Sequence, residues 1–86
     1  MVETIVIKDN INSSLEMNSA AVEFLEEVNK IEDYDIEIDF TGIVFISRSF
    51  AQSYFTKKNK LNKNICEINL SEGVKPLMDM IRKKFE

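Results

Sequence analysis

Residues 34–55 read YDIEIDFTGIVFISRSFAQSYF, and this stretch decides the fold. Across its first seven residues Tyr34, Ile36, Ile38 and Phe40 alternate with Asp35, Glu37 and Asp39. A period of two is the pattern of a β-strand with one dry face and one wet face. Thr41-Gly42 then breaks the strand, apolar residues follow from Ile43 to Ile46, and Ser47-Arg48-Ser49 opens a helix. In an α/β domain such a strand, tight turn and polar helix start is a common recognition site, because unpaired backbone N–H groups point outward there.

Working outward, residues 2–8 (VETIVIK) form a β-rich run and the expected first strand. Residues 9–14 are polar without a hydrophobic period and read as a turn or loop. Ser13-x-x-Glu16 fits a capping box, which leaves the start of the next helix open by several residues. Ala21, Phe24, Leu25, Val28 and Ile31 fall at helical spacing and predict an amphipathic helix over 18–31, ended by Glu32-Asp33. The central strand covers 34–40, and a second helix is expected over 49–61. Phe50, Ala51, Tyr54, Phe55 and Leu61 share one face of that helix, with Gln52, Ser53, Lys57 and Lys58 on the other. Residues 65–70 (ICEINL) read as a short buried strand, with Cys66 a small core residue. The last helix should begin close to Pro76, which cannot sit in a helix interior without losing a hydrogen bond. Its apolar stripe is Val74, Leu77, Met78, Ile81 and Phe85.

The order β-α-β-α-β-α predicts an α/β fold with a small, mostly parallel sheet. A doubly wound sheet would call for an all-apolar central strand. Asp35, Glu37 and Asp39 instead predict one face open to water, with the helices packed on the other. Residues 1–86 are expected to form one domain, since a chain of this length has no room for a second core.

Composition narrows the function classes. Hydrophobic content of 44% and charged content of 30% fit a globular protein and not disorder. The chain has no histidine, which removes Ser-His-Asp and Cys-His arrangements, the usual neutral-pH acid/base and most zinc sites. A binding module is therefore expected rather than an enzyme, with no catalytic residue, cofactor or metal assigned. Cys66 is the one cysteine, so no intramolecular disulfide forms. No apolar run is long enough to span a membrane and the N-terminus lacks a signal-peptide layout, so a cytoplasmic location is expected. Net charge is −4, with eleven acids among residues 1–43 and nine bases among residues 44–86. Lys57, Lys58, Lys60 and Lys63 crowd the end of the second helix, where cations complement the dipole. No aromatic lies among them to stack on a base, which disfavours nucleic acid. Asp33, Asp35, Glu37 and Asp39 lie roughly 6.5–7 Å apart along a strand, too wide for one metal ion without a further loop.

Asp39-Phe40-Thr41-Gly42 and Ile43-Val44-Phe45-Ile46, followed by Ser47-Arg48-Ser49-Phe50-Ala51, resemble the central segment of a STAS domain, the module of bacterial anti-sigma factor antagonists. The match is nearest to the STAS-like branch of unassigned function and covers about a quarter of the chain. Ordinary STAS domains start this helix with Asp, a regulatory phospho-Ser, Ser or Thr, and Gly. Here Ser47, Arg48, Ser49 and Phe50 stand in their places. The resemblance implies a STAS-like fold and a non-catalytic module for bacterial signal transduction. Its expected partner is an ATP-binding, kinase-like or anti-sigma-like regulator, and the chain itself is expected to be a monomer or weak dimer.

The candidate partner-binding residues are Asp39, Ser47, Arg48, Ser49, Gln52 and Ser53, with Ser49 or Ser47 as phosphate acceptor. Ser49-Phe50-Ala51-Gln52 also reads as a capping box, and Ser47 caps instead if the helix starts two residues earlier. Arg48 opposes the positive end of the helix dipole, a placement with no folding benefit, unless it pairs with an acid such as Asp39. A second reading is a small-ligand or nucleotide sensor holding an anion at this helix N-terminus. A third is a carboxylate-based enzyme.

Overall fold

The computed structural model describes residues 2–85. Three strands, β1 (Val2–Val6), β3 (Asp35–Asp39) and β5 (Asn64–Ile68), form a parallel sheet in the order β1-β3-β5. Three longer helices follow them: α2 (Asn18–Asn29), α3 (Arg48–Lys58) and α4 (Lys75–Lys83). Between β1 and α2 the chain makes one turn of helix, α1 (Ile7–Asn10), and a two-residue strand, β2 (Ser14–Leu15). That strand pairs in parallel with β4 (Phe45–Ile46), the piece of chain that leads into α3. The polar stretch after β1 is thus structured: Ile7 anchors it at 0% exposure. Ser13 and Glu16 do not cap α2. The cap position is Met17, without a side-chain hydrogen bond, and Glu16 accepts from the hydroxyl of Ser14.

The register sorts the sheet into its two faces. Thr4, Glu37 and Cys66 stand side by side, as do Ile5, Ile38 and Glu67. Ile36 and Ile38 are 1% and 0% exposed and join Ala21, Leu25, Val28, Ala51, Tyr54, Met78 and Ile81 in the core. Asp35, Glu37 and Asp39 keep contact with water on the other face, where Glu37 accepts from Thr4 Oγ1 at 3.0 Å and Asp35 from Asn64 at 2.9 Å. The molecule is therefore a small α/β fold, and the alternation of its central strand is what puts α2, α3 and α4 on a single side. Tyr34 departs from the pattern: it precedes the strand and is 61% exposed. Cys66 is exposed rather than a core residue, because Ile65 takes the core-facing position and the pleat sends its neighbour to the open face.

α4 begins at Lys75 with Pro76 in its first turn, where the missing N–H costs nothing. The lysines after Tyr54 have separate duties. Lys57 and Lys58 end α3, whereas Lys63 donates to the carbonyls of Ile31 and Asp33 and clamps the loop after α2. Among the described residues no helix is long and apolar enough to cross a membrane.

Candidate functional site

The turn after β3 is built by its own side chains. Asp39 Oδ1 accepts from the Thr41 backbone N–H at 2.9 Å and the Thr41 hydroxyl at 2.5 Å, an arrangement that favours reversal of the chain. The Ile43 N–H closes the turn on the Phe40 carbonyl at 3.1 Å. Gly42 sits at its corner with φ +81°, a left-handed conformation that side chains disfavour. Asn69, at φ 57°, adds a third donor to Asp39 from the end of β5 at 3.1 Å.

The Thr41 hydroxyl, then the Thr41 N–H and Asn69, hold the Asp39 carboxyl below the usual carboxylate range. A depressed folded value means that this stabilisation is complete above the unfolded carboxyl's range. It is lost as pH falls through the folded value. Asp39→Asn should therefore reduce the difference in urea stability between pH 7 and about pH 3. An unchanged difference would show that the turn does not depend on the charge. The side chain keeps contact with water, so the effect is a modest one.

Beyond the turn, the pairing of β4 with β2 fixes the start of α3. The Val44 N–H reaches the Ser13 carbonyl at 2.9 Å and the Ser47 N–H reaches that of Leu15 at 2.8 Å. Ser47 is the N-cap: its Oγ accepts from the Phe50 N–H at 3.0 Å and donates to the Glu16 carbonyl at 2.8 Å. Ser49 therefore does not cap the helix; it lies in the first turn, exposed, its hydroxyl 3.4 Å from that of Ser47. Arg48 is the first helical residue and is also exposed. Among the described residues no acid meets it, and Asp39 in particular bonds to Thr41 and Asn69 instead. Gln52 and Ser53 line a groove of about 390 Å³ together with Val22 of α2 and Lys57.

Sequence reasoning missed two features. The apolar run from Ile43 to Ile46 splits: Ile43 and Ile46 are buried, while Val44 and Phe45 are 71% and 47% exposed. Met17, one residue beyond the Glu16 carbonyl that Ser47 holds, is 68% exposed. Three apolar side chains thus stand in water around the start of α3. The signal was present, since four consecutive apolar residues between a turn and a helix cannot all face one core. The second feature is Glu67 on the core face of β5. Its side chain is 7% exposed, and its Oε2 accepts from Tyr54 OH and Lys58 Nζ, each at 2.8 Å. Burial first, and then the Glu67 charge, push the Tyr54 hydroxyl well above its ordinary range. Tyr54 and Lys58 are four residues apart on one helix, the spacing at which two donors meet one acceptor.

No group of three or more acidic or cysteine side chains among the described residues is placed to hold a metal ion. Comparison with protein-family models, with curated proteins and with solved structures gives no match.

Proposed function

We propose that the chain is a STAS-like, non-catalytic signalling module that binds an ATP-binding, kinase-like or anti-sigma-like regulator through residues 44–54. The observation that carries this reading is the exposure of Val44, Phe45 and Met17 beside Arg48, which meets no acid among the described residues. Apolar side chains left in water around an arginine have the composition of an interface core, where aromatics, methionine and arginine are enriched. The helix start that resembles the STAS regulatory segment borders the same surface. The alternative, an anion held at the α3 N-terminus, has less support, because the Ser47 hydroxyl already occupies the Phe50 N–H.

Titration against the GHKL-type ATPases encoded in the same genome tests the reading. Arg48→Ala should leave thermal stability unchanged or slightly raised, since it relieves a dipole repulsion worth about 0.3–1 kcal/mol. Partner affinity should fall about tenfold, or about 1.4 kcal/mol. A variant that melts much lower makes Arg48 structural. One that melts and binds like the parent removes this turn from the interface.

Where the partner phosphorylates the module, Ser49 is the expected acceptor. Its hydroxyl is exposed at a helix N-terminus that stabilises negative charge, whereas the Ser47 hydroxyl is committed to the cap. Intact mass and site mapping after incubation with the partner and ATP check this. Stoichiometric phosphate on Ser13, Ser71 or Thr56 would sink it.

A further inference from the structure

A cleft of about 330 Å³ lies between the end of β5 and α4, large enough for a small metabolite. Glu67 lines it, and both donors that Glu67 receives arrive at Oε2. Among the described residues no hydrogen bond reaches Oε1. Among the described residues no side-chain oxygen is at once sealed from solvent and without a partner, so Oε1 keeps some contact with solvent, and the side chain that carries it lines the cleft. A nearly buried carboxylate oxygen in that state gains from any donor brought to it. Phe55 and Met78, 3% and 1% exposed, supply apolar wall. At the rim stands Lys75, its side chain 58% exposed and bonded to Asp79 at 2.8 Å. An ammonium carries three donors, so Asp79 leaves Lys75 with two for an incoming anion.

The geometry points to this cleft as a binding site for a small molecule with a nitrogen hydrogen-bond donor at one end and an anionic group at the other. The nitrogen meets Glu67 Oε1, the body lies against Phe55 and Met78, and the anion meets Lys75. Asp79 opposes that anion, which fixes the sign of one variant in advance. The site is separate from the turn at Ser47 and does not depend on it.

Two probes separate the sources of this chemistry: AMP, whose amino group and phosphate lie far apart, and 5-aminopentanoate. Calorimetric titration of the full chain should show at least one binding with a Kd of about 1 mM or tighter. Ribose 5-phosphate, which keeps a phosphate and lacks the nitrogen, should bind at least about tenfold more weakly than AMP if AMP is the ligand type. Glu67→Gln and Lys75→Ala should each weaken binding about tenfold, and Asp79→Asn should strengthen it several-fold. Arg48→Ala should leave it unchanged. If Glu67→Gln fails to fold, Lys75→Ala and Asp79→Asn decide, since both alter partly exposed side chains of α4. Absence of binding by both probes, or binding that Asp79→Asn weakens, overturns the proposal.

Discussion

Tyr54→Ala should lower the stability of this protein by about 3–5 kcal/mol, the range for removing a large buried aromatic side chain. Tyr54 is 0% exposed and sits at the centre of an aromatic cluster. Its ring lies 6.1 Å from Phe40, 6.5 Å from Phe50 and 5.1 Å from Phe55, centroid to centroid. These contacts join Phe40, just past the end of β3, to Phe50 and Phe55 of α3, so the cavity is not filled by a local shift. A domain of this size has about 5–15 kcal/mol in total, and the variant should stand near the edge of unfolding. Tyr54→Phe keeps the ring and removes the hydroxyl, leaving Glu67 with Lys58, at a cost of about 1 kcal/mol or somewhat more. It should also change the alkaline limb. A hydroxyl raised above its ordinary value stays protonated in the fold while the unfolded chain ionises, so stability falls as pH rises past about 10. Tyr54→Phe should make that fall shallower. Urea melts followed by circular dichroism at pH 7, well below the tyrosine range, and at about pH 10.5, within it, measure each effect. A loss below about 1 kcal/mol for Tyr54→Ala would refute the packing account.

Lys58→Glu should cost about 3 kcal/mol. Breaking a fully buried ion pair costs about 3–5 kcal/mol, and here solvent softens the loss because the Lys58 side chain is 21% exposed. The substitution also sets a second carboxylate against one whose side chain is only 7% exposed, and it takes a cation from above the Phe55 ring, 5.5 Å from its centroid. Combining Lys58→Glu with Glu67→Gln should recover a good part of the loss, as coupled neighbours do in a double-mutant cycle. Additive costs, or a single variant within about 0.5 kcal/mol of the parent, would mean that the pair contributes little.

The central strand was legible because its alternation leaves only one way to face the core. Ile36 and Ile38 had to be buried together, and the open face displaying Asp35 and Glu37 followed. The helix starting near Pro76 was legible for an equally local reason. Cys66 was not: ICEINL reads as continuously buried, and only the position of Ile65 against Ile36 decides which way its neighbour points. The cap of α3 had two candidates in sequence, Ser47 and Ser49. Tertiary structure chose between them, since the pairing of β4 with β2 brings the Glu16 carbonyl to the Ser47 hydroxyl. The exposure of Val44 and Phe45 has the same origin. Residues 14–15 fix which side chains of β4 turn inward, and nothing within residues 43–46 announces that pairing.

We propose residues 44–54, running from β4 into α3, as the recognition surface. Amide chemical shifts of the labelled chain, recorded while a GHKL-type ATPase from the same genome is added, test it most directly. Perturbations should concentrate at Met17, Val44, Phe45, Arg48, Ser49 and Gln52, and should be lost in Phe45→Asp. Perturbations centred instead on Thr4, Glu37, Asn64 and Cys66 of the open sheet face, with the turn unmoved, would contradict it.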